Sequence, residues 1–397
     1  MSPTPQIFIS TGEVSGDFHG ALLAKNLLAR APQLRLVGLG GSQMAQAGVQ
    51  LLGNTVGIGS VGIFEALPYI LPTFFLQRRI KQILRQNPPD LIILIDYMMP
   101  NIGMGYFAKR QLGIPVFYYI APQEWVWSFD GKNTKAIATF AEEVLAIFPA
   151  EAQYYRSHGA KVHFVGHPLI EQMDCVPDRL TARQELGIAN DDLVITLVPA
   201  SRSQEIRHVL PLILKTAQIL CQKYPHARLY LPLSLEKYRL PVERMMQSYG
   251  LTATIILGRS QLVIRASDLV LAKSGTVNLE TALLGTPQVV CYRVSALTAW
   301  VAKHILKVKI PFMSPPNLVV SRAIVPEYLQ DQADPDVMAQ SAIALLAPQS
   351  AARSQMMSDY EELRTLLGGT GALAKACDRI LQGLAATKTA IDQHQRM

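Results

Sequence analysis

The feature that most constrains this chain is an alternation of short, continuous apolar runs with longer segments of helical periodicity. The first runs are rich in Ile, Val and Leu: Gln6–Ser10, Leu91–Ile95, Val116–Ile120, Val144–Ile147 and Val162–Val165. A helix is predicted near Gly20–Arg30, directly after the first run. Strands that are apolar on both faces are typical of parallel sheets covered by helices on both sides. The first part of the chain is therefore predicted to be an α/β domain.

The alternation then starts again with a second series of runs. These are Leu193–Val198, Arg228–Pro232, Thr254–Leu257, Leu269–Ala272 and Gln288–Cys291. The intervening segment Glu171–Leu180 has little periodicity and is interpreted as a linker. A chain of 397 residues accommodates two domains. We predict two doubly wound, Rossmann-like domains over 1–170 and 180–365, a C-terminal helix within 366–397, and an active site in the interdomain cleft.

The composition excludes several classes of protein. Hydrophobic residues make up 49% of the chain and charged residues 17%, which suits packed cores and argues against disorder. The net charge of +7 favours an anionic partner, but the sequence lacks the aromatic-interleaved basic stripe of a nucleic-acid binder. Phosphate-bearing small ligands or lipids are therefore expected, and no nucleic acid.

Cysteine spacing and the start of the chain indicate the compartment. The four cysteines lie far apart without a C-x-x-C pair, so neither a zinc site nor a disulfide framework is expected. The first residues lack the basic start and apolar stretch of a signal peptide. The most apolar stretch, Ile63–Leu76, is interrupted by Glu65, Pro68 and Pro72, so no membrane span is predicted. These patterns indicate a cytoplasmic protein.

The loop after the first strand runs from Ser10 to Asp17 and has two glycines, which let the backbone approach a ligand. The N–H groups of the helix that follows are available to an anion. The loop is neither a dinucleotide fingerprint nor a P-loop, so an ordinary helix start capped by Ser15 or Asp17 is the alternative. His19 is a candidate base at the same edge.

Two loops of the second domain have features suited to a diphosphate. Ser201 and Arg202 follow the strand Leu193–Val198, and an arginine binds a diphosphate through two parallel hydrogen bonds. The second loop places small residues at a helix start and a carboxylate four residues later: Ser274, Gly275, Thr276 and Glu280. Glu280 would accept two sugar hydroxyl groups. The alternatives are first-turn capping residues and a surface glutamate.

An acid and a second histidine complete the candidates of the first domain. Asp96 directly follows an apolar strand, where it is expected at the carboxyl edge of the sheet as a general base or polar anchor. A capping or turn aspartate is the alternative. His167 follows the last strand of the domain. No Asp-x-Asp follows a strand as a metal-dependent sugar transferase requires, so no metal and no cofactor are predicted.

Two segments combine bulky apolar residues with basic ones. The first is Ile63–Leu76, followed by Arg78, Arg79, Lys81 and Arg85, and the second is Leu297–Lys309. Both suit a surface lying on an anionic membrane. The alternative is a pair of core helices with lysines extending to solvent. Pro68 and Pro72 favour an irregular, exposed surface over a core helix.

The ordered set of loops resembles the lipid-A-disaccharide synthase family. The matching stretches are Gly12–Asp17, Gly38–Met44, Val61–Glu65, Trp125–Trp127, Phe164–His167, Pro199–Arg202, Ser274–Thr276 and Pro316–Leu318. They extend over roughly Ile7 to Gln330. Each motif is weak alone, and the ordered set is specific.

The resemblance implies a GT-B-type fold whose C-terminal half binds UDP. It also implies inverting transfer of 2,3-diacylglucosamine from its UDP derivative to 2,3-diacylglucosamine 1-phosphate, giving a β-1,6 disaccharide 1-phosphate and UDP. Members of the family are peripheral enzymes of the inner face of the cell membrane. The last helix, about Gly371–Leu384, would pack back on the first domain. Oligomeric state and acyl-chain length are left open.

The resemblance assigns roles residue by residue. Asp96 matches the catalytic base, and Ser15 and Asn317 match positions that matter for activity, with Glu13 in the same motif. The family usually has Ala-Pro-Asp-Phe-Asn directly after the catalytic acid, and this chain departs from it, because Met99 stands where the second acid is expected. Two alternatives follow: a related GT-B-type UDP-sugar enzyme, either a transferase to another lipid or an epimerase, and a binding protein without catalysis.

Overall fold

The structure is a computed structural model that describes residues 4–56, 63–126, 131–199, 203–294 and 312–395. The chain divides into two units. One comprises Met1–Pro168 together with Gly368–Met397, and the other comprises Leu169–Leu367. The sequence analysis placed its divisions at 170 to 180 and at 365 to 366.

The first unit has a seven-stranded sheet in which every neighbouring pair is parallel, in the order β3-β2-β1-β4-β5-β6-β7. The strands are β1 (Gln6–Ser10), β2 (Arg35–Gly40), β3 (Gln50–Asn54), β4 (Leu91–Ile95), β5 (Val116–Tyr119), β6 (Glu143–Ala146) and β7 (Val162–Phe164). The helices are α1 (Val14–Arg30), α2 (Ser42–Gln46), α3 (Ile63–Gln86), α4 (Met98–Phe107), α5 (Lys132–Phe140) and α6 (Pro149–Ser157). A π-helical turn, Ala108–Leu112, continues α4.

The second unit has a six-stranded parallel sheet in the order β10-β9-β8-β11-β12-β13. Its strands are β8 (Val194–Val198), β9 (Arg228–Leu233), β10 (Thr254–Leu257), β11 (Leu269–Lys273), β12 (Gln288–Tyr292) and β13 (Glu327–Leu329). Its helices are α7 (Leu169–Asp174), α8 (Arg179–Leu186), α9 (Ser203–Lys223), α10 (Arg239–Ser248), α11 (Ser260–Ala266), α12 (Thr276–Leu283), α13 (Pro315–Val320), α14 (Pro335–Leu346) and α15 (Ala351–Leu366).

Both sheets reverse their strand order at one point, between β1 and β4 and between β8 and β11. Doubly wound sheets bind ligands at the carboxyl ends of the strands that flank such a point. The loops singled out from the sequence follow these four strands. The predicted α/β fold class with two parallel sheets is therefore confirmed.

Three expectations about local structure were wrong. The strands β2, β3 and β13 were not predicted, and the predicted linker Glu171–Leu180 contains the end of α7 and the start of α8. The segment containing Pro68 and Pro72 is not irregular but lies within the 24-residue helix α3. The part of that prediction that concerned exposure holds, since the apolar side chains from Ile70 to Phe75 are largely exposed.

The chain returns to the first unit through its last helix, α16 (Ala372–Gln395). This helix packs against α1, and Arg30 forms an ion pair with Asp378. Arg379 forms an ion pair with the buried Glu143 of β6 at 2.8 Å. A side chain in place of Gly383 would overlap the ring of Phe117. The last helix is therefore fitted closely to the first unit.

Candidate functional site

The carboxyl ends of β1 and β4 are joined by one buried side chain, Asn101. Its amide donates to the carbonyl oxygens of Ser10 (3.2 Å), Ile95 (3.1 Å) and Asp96 (2.8 Å), and its oxygen accepts from the hydroxyl of Ser10 (2.7 Å). Every polar position of this amide is used, and the side chain is fully buried. Asn101 therefore fixes the backbone on which Asp96 sits.

The backbone at this edge is in an uncommon conformation. Asp96, Tyr97 and Ile120 have φ values of 45°, 51° and 56°, in the left-handed region that non-glycine residues seldom adopt. The N–H of Asp96 donates to the carbonyl of Ile120 (3.0 Å), and the hydroxyl of Tyr118 donates to the carbonyl of Asp96 (2.7 Å). Such conformations persist where surrounding contacts enforce them, and they cluster at active sites.

The environment of Asp96 makes it a stronger base than an ordinary aspartate. Burial, and then the negative charge of Glu13, raise the pKa of Asp96 to about 6, although the N–H of Tyr97 opposes the change. Among the described residues no lysine or arginine forms an ion pair with it. Asp96 is therefore ionised at neutral pH and can still accept a proton.

The loop after β1 brings Glu13, Ser15 and His19 to the same edge. Helix α1 begins at Val14, six residues before the predicted start, so Ser15 and His19 are four residues apart on one helical face. Ser15 is exposed, and burial lowers the pKa of His19 to about 4. The buried Nδ1 of His19 has no hydrogen-bond partner among the described residues. His19 is therefore neutral at pH 7.

His167, the second candidate histidine from the sequence, is buried against the ring of Phe148, with 4.9 Å between the ring centres. Burial, with a further contribution from His19, lowers the pKa of His167 to about 3. The two imidazoles are thus near neighbours and are both uncharged at neutral pH.

The glycines of the first loop are required by close packing. A Cβ on Gly12 would overlap the ring of Tyr97, and one on Gly16 would overlap the hydroxyl of Thr11. Asp17, considered from the sequence as a cap for its own helix, instead accepts from the N–H groups of Gly41, Gln43 and Met44. It therefore holds the loop between β2 and α2, and Glu13 is the N-cap residue of α1.

Two buried carboxylates at this edge were not singled out from the sequence. Glu151 accepts from the N–H groups of Ala121, Ile147 and Phe148. Glu124 accepts from Asn133 (2.9 Å) and from the hydroxyl of Thr134. Glu151 has a recognisable local signal, since a proline at the first position of a helix followed by a glutamate at the third is typical of a helix start.

In the second unit the loop after β11 leads directly into helix α12. The side chain of Asn278 accepts from the N–H of Gly275 (2.7 Å) and donates to the carbonyl of Lys273 (3.2 Å). Ser274 is buried and Thr276 is exposed at the helix start. Lys273, which the sequence analysis did not select, lies over the ring of Tyr292 and close to Gly275. The ammonium group of Lys273 therefore lies beside the first turn of α12.

Of the other residues predicted to bind UDP, the structure describes Glu280 only. Glu280 lies on α12 and accepts from Gln261 at 3.2 Å, and burial raises its pKa. Ser201 and Arg202 lie outside the described residues. The structure therefore brings Ser274, Gly275, Thr276 and Glu280 together on one helix and its loop, and it does not describe the arginine.

Asn317, expected from the resemblance to contact substrate, has a structural role here. It is fully buried and accepts from the N–H groups of Ile324 and Val325. Its amide donates to the carbonyl of Val325 and to Glu327, which in turn accepts from the N–H groups of Met313 and Ser314. In this structure every polar position of the side chain is paired within the protein, and a contact with substrate stays a prediction.

Two general features bear on the class of site. Within the described part of the chain, no three His, Cys, Asp or Glu side chains gather where they could hold a metal ion. None of the helices described is long and apolar enough to cross a membrane.

Solved structures with similar folds are enzymes that act on sugars. One is UDP-GlcNAc 2-epimerase from Neisseria meningitidis bound to UDP-GlcNAc, with a TM-score of 0.63 at 14% identity over 95% of this chain and 100% of that one. Another is CalG4, the calicheamicin glycosyltransferase, with a TM-score of 0.59 at 14% identity over 97% and 99%. At this identity the likeness shows the GT-B-type fold alone.

Sequence comparison is more specific. The profile described as "Lipid-A-disaccharide synthetase" matches residues 7–376. The lipid-A-disaccharide synthase of Gloeothece citriformis is 47% identical over 95% of this chain and 99% of its own length. That of Synechocystis sp. is 46% identical over 95% and 97%. The chain therefore belongs to the lipid-A-disaccharide synthetase family of glycosyltransferases.

Proposed function

We propose that the chain transfers 2,3-diacylglucosamine from its UDP derivative to 2,3-diacylglucosamine 1-phosphate, giving a β-1,6-linked disaccharide 1-phosphate and UDP. The observation that carries this proposal is the match to the family over nearly the whole chain. The epimerase alternative has only a likeness of fold at low identity to support it. The specific reaction therefore takes precedence.

Asp96 is proposed as the general base. Inversion in a single displacement needs one group to take the proton of the attacking acceptor hydroxyl. A pKa near 6 and a position directly after β4 suit that role, because the carboxylate is ionised at neutral pH and more basic than usual. Glu13, Ser15 and His19 lie on the adjoining loop and helix start and are proposed to contact the substrate.

The departing UDP is proposed to bind in the second unit. Its diphosphate would lie at the first turn of α12, near the N–H groups of Gly275 and Thr276 and the ammonium group of Lys273. Glu280 would accept the ribose hydroxyls. Ser201 and Arg202, on the loop after β8, are proposed as further diphosphate ligands. In this scheme protein cations and N–H groups stabilise the leaving group, and neither a metal nor a cofactor is required.

The exposed part of α3 is proposed to bind the inner face of the cell membrane. Ile70, Leu71, Phe74 and Phe75 are 55–66% exposed, and Arg78, Arg79 and Arg85 follow on the same helix and are exposed. Each basic residue near an anionic surface contributes about 1 kcal/mol. The second segment, Leu297–Lys309, lies outside the described residues. Loss of sedimentation with anionic vesicles in a Phe74→Ser, Phe75→Ser variant, with neutral vesicles as control, tests the proposal.

UDP release from the two lipid sugars tests the function directly. Purified protein dispersed in detergent should form UDP and the disaccharide only when both lipids are present, and chelation of divalent cations should leave the rate unchanged. UDP release with a different lipid acceptor and none with the 1-phosphate would assign the chain to another transferase. No release with either acceptor from folded protein would remove the proposal.

A further inference from the structure

We infer that Glu151 is a positioning residue that holds Asp96 in its reactive geometry through the left-handed backbone at Ile120. The inference rests on the proposed role of Asp96. It concerns a side chain that lies behind the site and that the reaction scheme does not otherwise use.

The first step concerns strain. Ile120 is β-branched and has a φ of 56°, a left-handed conformation that is strained for a β-branched residue. It persists only if the neighbouring structure enforces it. The adjoining bonds are specific: the N–H of Ile120 donates to the carbonyl of Leu145 on β6, and its own carbonyl accepts from the N–H of Asp96. The conformation of Ile120 is thereby transmitted to the backbone of Asp96.

The second step concerns what enforces this conformation. One carboxylate oxygen of Glu151 accepts from the N–H of Ala121 (3.0 Å), the residue directly after Ile120. The other oxygen accepts from Ile147 (2.8 Å) and Phe148 (3.1 Å), at the end of β6. The side chain is fully buried. Glu151 thus ties the segment after β5 to the segment after β6, on either side of the Ile120–Leu145 bond.

The third step is that only a carboxylate fits this position. All three partners are donors, so a glutamine would have to turn its NH₂ group towards an N–H on one side. Burial raises the pKa of Glu151 to about 7 against the effect of its three N–H bonds, and the charge of Asp96 contributes in the same direction. The two carboxyl groups therefore influence each other electrostatically as well as through the backbone.

The test compares Glu151→Gln with Asp268→Asn in the full-length chain. Asp268 accepts a backbone N–H from Val194 in the second unit and is remote in sequence from Asp96. We expect Glu151→Gln to reduce kcat at least 10-fold while the KM values stay within 3-fold of wild type. Asp268→Asn should lose stability and keep kcat. Equal loss of kcat in both variants would overturn the inference. So would a loss of activity in Glu151→Gln that comes only from a higher KM.

A rescue variant separates positioning from general destabilisation. Asparagine adopts left-handed backbone more readily than isoleucine. Ile120→Asn should therefore retain most activity and restore part of kcat in the Glu151→Gln background. Additive losses of kcat would contradict the inference. If Glu151→Gln does not fold, Glu151→Asp replaces it, because the shorter acid is expected to keep the bonds at the start of α6 and lose the one to Ala121.

Hydrogen exchange keeps this test independent of the proposed reaction. Amide protection at Asp96 and Ala121 should fall in Glu151→Gln and not in Asp268→Asn, whichever substrate the enzyme uses. Wild-type protein that releases no UDP would remove the proposed function and leave this measurement in force. Unchanged protection at both amides would remove the inference and leave the function.

Discussion

Two aspartates occupy opposite ends of equivalent strands in the two sheets. Asp96 directly follows β4 in the first unit, and Asp268 directly precedes β11 in the second. Asp268 accepts from Arg179, from the fully buried Arg183 (2.9 Å) and from the N–H of Val194 (2.8 Å). Asp96 has the acidic Glu13 as its charged neighbour and a left-handed backbone.

The difference shows that an aspartate at one end of such a strand can serve stability and an aspartate at the other end can serve reactivity. At the amino end of β11, Arg183 also donates to four backbone carbonyls, those of Ala266, Ala189, Asn190 and Asp192. The charge of Asp268 is therefore balanced by arginine, and the donors of Arg183 have acceptors. At the carboxyl end of β4, no lysine or arginine among the described residues forms an ion pair with Asp96, and its pKa is raised. A carboxylate that is paired with cations contributes to stability, whereas one with a raised pKa remains able to take a proton.

The largest effect is expected from Asp96→Asn. If Asp96 is the base, kcat falls about 10²–10⁴-fold, because the amide cannot accept the proton. UDP binding and thermal stability should be retained, since Asp96 forms no ion pair within the described part of the chain. Rates of UDP release, with UDP affinity from calorimetry, check this. Turnover within 10-fold of wild type would exclude Asp96 as the base.

Asp268→Asn should give the opposite pattern. Removing the charge leaves the buried guanidinium of Arg183 without this anionic partner, which costs about 3 kcal/mol in the free energy of unfolding. Activity per folded molecule should be unchanged. Urea denaturation with kcat measured at low temperature distinguishes the two quantities. A large fall in kcat at full stability would mean that this end of the sheet also serves the reaction.

Asn317→Ala should affect stability rather than catalysis. Two backbone N–H groups and Glu327 would lose partners, at a cost of about 2 kcal/mol. KM for the donor should stay within about 3-fold in protein that remains folded. A large rise in KM without loss of stability would restore a substrate contact for this residue.

The smallest effect concerns pH. If Asp96 acts ionised, kcat/KM should rise with pH through an apparent pKa near 6, and Glu13→Gln should move this limb to lower pH by less than one unit.

The same ionisation should lower the free energy of unfolding as pH rises. The folded-state pKa is raised above its ordinary value of 3.8, so ionisation of Asp96 removes stability as pH rises from about 4 to 6. Asp96→Asn should abolish that part of the pH dependence, and an unchanged dependence would contradict the assignment.

Much of the fold was predictable because the central strands carry their own signal. Leu91–Ile95 and Thr254–Leu257 were predicted with the correct bounds, since each is a continuous apolar run. Strand β2 contains two glycines, and β3 is polar at both ends and contains a glycine, so neither has that signal. Helix α3 continues through Pro68 and Pro72, because a proline removes one hydrogen bond and the rest of a 24-residue helix remains.

The site was only partly predictable. Asp96 follows a recognisable strand, and the helix start at Thr276 follows another. The roles of Asn101 and Glu151 depend on contacts across the sheet: Asn101 bonds to Ser10, 91 residues away, and Glu151 to Ala121, 30 residues away. No local pattern specifies such partners. Asn317 shows the converse, since its position in a motif indicated importance without saying whether it binds substrate or supports a loop.

The return of the last helix to the first unit has a consequence for biosynthesis. The second unit is continuous in sequence from Leu169 to Leu367, whereas the first needs residues after Gly368. On the ribosome, the part made first therefore finishes folding last. Until the segment containing Arg379 and Gly383 emerges, Glu143 lacks its cationic partner and Phe117 lacks its cover. A nascent chain truncated before α16 should then bind chaperones through its earliest-made residues.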